Sequence, residues 1–140
     1  EIVPIIPFPA KDPLRGDKII KDYRTLLFEE LDVERQNIIY AAEQNPFDSY
    51  RQIYKTIVDY NNALEVIGGC KVYISPFCSK LISMGSLLAA YELDAEEDKS
   101  VAVINIEANG YKVDNKNILR KENFNGELFL LWLVGDPFYE

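Results

Sequence analysis

KVYISPFCSKLISMGSLLAAYEL, residues 71–93, decides the fold. Its opening, Lys71–Ser75, carries Val72, Tyr73 and Ile74, residues that suit a pleated, half-buried surface. Pro76-Phe77 then stops the strand, because proline has no N–H for a central ladder and pushes the residue before it toward extended backbone. Ser79 stands where a helix cap belongs. The body Leu81–Leu93 is apolar nearly all round, so a helix covered on more than one side is expected, with Gly85 permitting close approach of a neighbouring backbone. One strand, one turn and one helix thus follow each other within 23 residues.

The same junction recurs upstream. Pro7-Phe8 closes the apolar run Ile2–Ile6, where Pro4 argues for a sheet edge or a strand start. Asp17 is the expected cap of a helix whose stripe is Ile19, Ile20, Tyr23, Leu26, Leu27 and Leu31. Asn37–Ala42 reads as the second strand. Pro46-Phe47 follows it, with Asp48 or Ser49 as cap of a helix striped by Tyr50, Ile53, Tyr54, Ile57 and Val58. Val101–Ile106 reads as a fourth strand. Asn109-Gly110 is a turn signal, Tyr111–Val113 a short return, and Leu128–Val134 an apolar run that leans to helix. The order β-α-β-α-β-α-β, plus a C-terminal helix or strand, predicts a small, mostly parallel sheet with right-handed crossovers. A three-layer Rossmann-like or flavodoxin-like α/β domain spanning 1–140 is expected.

The bulk numbers narrow the function. At 140 residues, 48% of them hydrophobic, the chain can build one real core. A net charge of -8 disfavours broad nucleic-acid binding, which rests on neutralising phosphates. There is no His, which removes His-based triads and HExxH zinc sites together. No run approaches a membrane span, and no signal segment opens the chain. Cys70 and Cys78 would lie at opposite ends of one strand, roughly 20 Å apart, too far for a disulfide. Two free thiols without CxxC point to a reducing, cytoplasmic setting. The start at Glu1 without Met marks a processed product or a piece of a longer, prokaryotic-type protein.

In open parallel sheets ligands sit outside the carboxyl ends of the strands. The polar residues expected there are Arg15, Asp17, Asn45, Ser75, Ser79, Lys80 and Glu107, with Arg51 reaching over from the second helix. Helix starts behind these loops suit an anion. Ser79 and Lys80 form the sharpest cluster. The alternative is a plain cap beside a solvated lysine. The turn lacks the glycines of GxxxxGK[ST] and GxGxxG, so neither phosphate-loop motif applies and no cofactor is indicated. Arg15, Arg51 and Lys80 can make a basic pocket, or be neutralised by Asp12, Asp17, Glu43 and Asp48 as ordinary ion pairs. A metal would need Asp17, Asp48 and Glu107 to converge, and no metal is expected.

The segment Ser75–Ala90 resembles the strand–turn–helix of CRISPR-associated Rossmann-fold (CARF) sensor domains. The resemblance covers under twenty residues. It implies that Ser79 and Lys80, with Ser75, occupy places that in that family help to hold a cyclic oligonucleotide. Pro-Phe stands here where that family has Gly-Gly.

The leading expectation is therefore a non-catalytic module binding a small anionic ligand, such as a nucleotide, at the carboxyl edge of the sheet. One alternative is a hydrolase or transferase using Cys78 or a carboxylate pair. Another is a structural domain whose stripe Leu128–Trp132, with Phe138 and Tyr139, meets a second copy or another domain of the parent protein.

Overall fold

Four short strands and three α-helices alternate along the chain in a computed structural model, which describes residues 1–95 and 100–105. These residues fall in one unit, Glu1–Ile106. The expected turn Asn109-Gly110, the return Tyr111–Val113, the run Leu128–Val134 and the site residue Glu107 lie outside the described residues, as does the C-terminal end of the chain.

The strands are β1 (Ile5–Pro7), β2 (Ile39–Ala41), β3 (Lys71–Ile74) and β4 (Ser100–Val103). β1 pairs with β2 and β3 with β4, both in parallel. Among the described residues the two pairs do not join into one hydrogen-bonded sheet. The protein is thus α/β with parallel pairing, as the alternation of elements implies.

The helices are α1 (Arg15–Asp22), α2 (Pro46–Ala63) and α3 (Lys80–Asp94). α2 begins one turn earlier than expected. Asn45, not Asp48 or Ser49, is its cap, with Asn45 Oδ1 accepting from the Phe47 N–H at 3.0 Å. Pro46-Phe47 therefore opens the helix and does not end a strand. Proline tolerates the first helical position because its missing N–H would be unpaired there anyway. Pro7 is the last residue of β1, and Pro76 stands two residues past the end of β3.

The first helix is shorter than its stripe. α1 stops at Asp22, and Leu26–Glu30 forms a π-helical turn. The wider turn rotates the stripe, so Leu27 and Phe28 are half-buried while Leu26 and Leu31 are exposed. Asp17 is not the cap. It sits exposed inside the first turn, behind Leu14 at the cap position.

The core follows the helical stripes. Ile53 and Ile57 of α2 meet Ile74 of β3 and Ala89, Ala90 and Leu93 of α3. Ile5, Tyr50, Tyr54, Val58, Val72 and Val101 pack around them. Residues paired across parallel strands share a face. Ile5 and Ile39, Val72 and Val101, Ile74 and Val103 thus lie on the α2–α3 side. Ile6, paired with Tyr40, lies on the other face, where α1 closes on it at Gly16. Tyr73 and Ala102 share that second face and are exposed.

α2 and α3 approach very closely at Gly85. A Cβ there would stand 2.0 Å from Ser49 Oγ and 2.3 Å from the Pro46 carbonyl oxygen. Only glycine fits.

Candidate functional site

A cleft of about 730 Å3 lies where β1 and β3 face each other across the gap between the two pairs. Both strands start at the same end of α2. Tyr60 donates to Glu1 Oε1 at 2.9 Å, and the Cys70 N–H donates to Asn61 Oδ1 at 3.2 Å. β1 and β3 therefore run in the same direction. Ile53 and Ile57 of α2, with Ile82 and Ser86 from the first two turns of α3, form the floor. The far end opens at Ser75–Cys78, the turn that leads into α3.

The side chains of the wall leave little polarity unused. Thr56 Oγ1 donates to the Gln52 carbonyl at 2.7 Å, and Ser86 Oγ to the Ile82 carbonyl at 2.9 Å. Tyr60 is held by Glu1, and the Cys70 thiol lies 3.6 Å from Asn61 Oδ1. The backbone differs. In a parallel ladder the polar groups of successive residues point to opposite sides. The Pro4 carbonyl accepts from the Ile39 N–H at 2.9 Å, and the Phe8 N–H donates to the Ala41 carbonyl at 2.8 Å. Ile5 between them presents its N–H and C=O away from β2. Likewise the Ile74 carbonyl accepts from the Ile104 N–H at 2.8 Å, so Tyr73 presents its backbone away from β4. Among the described residues neither edge has a paired neighbour on the cleft side.

The expected site residues divide. Ser75 lines the cleft. Ser79 is the cap residue of α3 by position, but its side chain makes no capping bond, and its hydroxyl is buried without a partner. The first intrahelical bond is Ser83 N–H to the Ser79 carbonyl at 2.9 Å. The N–H groups of Lys80, Leu81 and Ile82 precede it and stand as free helix-start donors. Lys80 is exposed beside them.

The other residues are not gathered there. Arg15 Nη1 lies 2.7 Å from Oε1 of the buried Glu43, whose second oxygen accepts from the Lys11 N–H at 3.3 Å. This neutralisation is one of the two outcomes the sequence allowed for Arg15. Asn45 caps α2, and Asp48 Oδ2 accepts from the Ala42 N–H at 2.7 Å. Arg51 is exposed on α2 and Asp17 on α1. Among the described residues no three His, Cys, Asp or Glu side chains group to hold a metal.

Burial pushes the Cys78 thiol up, and its contact with Ser83 Oγ at 3.5 Å only partly opposes this. A thiol held protonated near neutrality is a poor nucleophile. Asp12 is held below the usual carboxylate range by Lys18 Nζ at 2.6 Å and by the Leu14 N–H. No helix among the described residues is long and apolar enough to cross a membrane.

Residue patterns do not announce the cleft, because its unused polarity is backbone and belongs to no residue type. Pro7 is the one local sign. Its missing N–H falls on the cleft side of β1, where it ends that edge. No protein-family model, curated protein or solved structure matches the chain.

Proposed function

We propose that the protein is a non-catalytic binding domain that takes a small anionic ligand where the cleft meets the first turn of α3. One observation carries this reading. The Ser79 hydroxyl is buried and unpartnered at a helix start with free amides, and Lys80 is next to it. A helix start of this kind attracts negative charge through its N–H groups and its dipole. The cleft behind the turn falls within the size range of small-molecule sites.

The strand arrangement supports this location. On this reading the parallel pairs β2-β1 and β3-β4 are the two halves of a Rossmann-like, doubly wound order, whose connections reverse their sense between β1 and β3 while the strands stay parallel. Ligands of such folds sit in the crevice at that reversal. Lys80 supplies the mobile charge, whereas Arg15 holds its loop to Glu43.

Calorimetry with mono-, di- and cyclic nucleotides and with inorganic phosphate tests the reading. Cyclic oligonucleotides, the class implied by the CARF resemblance, belong in the same screen. Binding that falls about tenfold or more in Ser79→Ala and in Lys80→Ala is the expected result. The reading fails if no anion of any class binds. It also fails if neither substitution changes the affinity.

A further inference from the structure

The cleft offers two things that a small rigid ligand does not use together. One is an apolar floor, Ile53, Ile57 and Ile82. The other is a pair of facing strand edges, at Ile5 and Tyr73, with backbone groups that have no neighbour on that side among the described residues. The side-chain hydroxyls of Thr56, Tyr60 and Ser86 are already bonded within the protein. The chemistry that satisfies two parallel edges at once is a third backbone, which carries donors and acceptors on both sides. Unpaired strand edges recruit extended chains in this way.

Direction adds a further constraint. A chain inserted parallel to β1 and β3 has its C-terminal end at Ser75–Cys78, against the first turn of α3. There the free amides, the Ser79 hydroxyl and Lys80 complement a negative charge. β3 spans four residues, about 13 Å of extended chain, which fits a short tail.

We propose that the cleft binds the C-terminal tail of a partner protein as an inserted parallel strand, its terminal carboxylate held at the start of α3. The inference rests on the anion-binding reading above and names the anion.

The test displays a library of random heptapeptides with free C-termini and selects on the whole chain. Enrichment of sequences with apolar residues at alternate positions is expected. The C-terminal amide of an enriched peptide should bind about tenfold or more weakly, since a bond to a charged group is lost. N-methylation should weaken binding at each of two successive central residues, because an inserted strand uses both edges. Addition to one edge would tolerate every second methyl group, and that pattern overturns the proposal. No enrichment, or equal binding of acid and amide, also overturns it. If peptides fail while nucleotides or phosphate bind through Ser79 and Lys80, the proposed function stands and this inference falls. If peptides bind as described and nucleotides do not, the tail is the anion.

Discussion

Replacing Gly85 by alanine tests the packing that sets the cleft floor. Alanine ordinarily favours a helix interior over glycine by about 1 kcal/mol, so an open site would gain stability. Gly85 is buried in α3 against α2. The new Cβ would meet Ser49 Oγ at 2.0 Å, the Pro46 carbonyl at 2.3 Å and the Tyr50 backbone nitrogen at 2.8 Å. Two of these are backbone atoms of the first turn of α2. The third belongs to a fully buried serine whose hydroxyl donates to Pro46 O at 2.9 Å. None can swing aside, so the two helices must part. Overpacking of this kind costs about 1–3 kcal/mol, and backbone contacts put Gly85→Ala at the upper end. Net of the propensity gain, a loss of about 2 kcal/mol is expected. For a chain of this size that lowers Tm by roughly 6–10 °C. Thermal and urea unfolding followed by circular dichroism measure it. Ser49→Ala added to Gly85→Ala should recover only part, because the Pro46 carbonyl stays in the way. An unchanged or raised Tm for Gly85→Ala would refute the close approach of α2 and α3. The same substitution should weaken any ligand of the cleft, since Ile53, Ile57, Ile82 and Ser86 sit on these two helices.

Arg15→Ala should destabilise the chain by about 1–3 kcal/mol in urea unfolding, because it leaves the buried Glu43 without its counter-charge and with only the Lys11 N–H as donor; exposure of Arg15 keeps the loss below that of a fully buried pair. A stability within a few tenths of wild type would refute the pairing. Asn45→Ala should cost about 1 kcal/mol through loss of the bond to the Phe47 N–H, and an unchanged urea midpoint would count against the cap. The Tyr50 hydroxyl donates to Glu92, and this bond together with burial pushes its pKa up to about 12. The folded state therefore keeps a proton that the unfolded chain releases near 10. The stabilisation is complete below that value and is lost as pH rises toward 12. Partial burial and the bond to Glu1 raise Tyr60 as well, so ultraviolet titration of wild type against Tyr50→Phe should show the late phase shrink by one phenol, and two superimposable late phases would refute it.

Local signals made most of the elements legible. The stripe Tyr50, Ile53, Tyr54, Ile57 and Val58 forms the inner face of α2, and Lys71–Ile74 is a strand followed by a turn at Pro76. Gly85 sits at a close contact, as a glycine within an apolar helix suggests. The errors arise where two local rules compete. Pro46 can end an extended run or open a helix, and the side-chain bond from Asn45 favours the second. The stripe from Ile19 to Leu31 fits one long helix, yet nothing in it is fully buried, so no packing resists the π-helical turn. Of the site residues, Ser75, Ser79 and Lys80 stay together because they are neighbours in sequence. Arg15 is taken by Glu43, far along the chain, a partner that sequence offered only as one of several.

The sequence by itself determined the order of strands and helices, because side-chain periodicity and proline chemistry act over a few residues. It also determined the turn at Ser75–Lys80 and the absence of histidine chemistry. Only the tertiary structure decided which strands are neighbours: β1 beside β2, β3 beside β4, and a cleft between. The physical reason is that strand pairing is made by backbone groups that every residue carries alike. No residue type records which edge is filled, and among the described residues the edges of β1 and β3 that border the cleft have no paired neighbour.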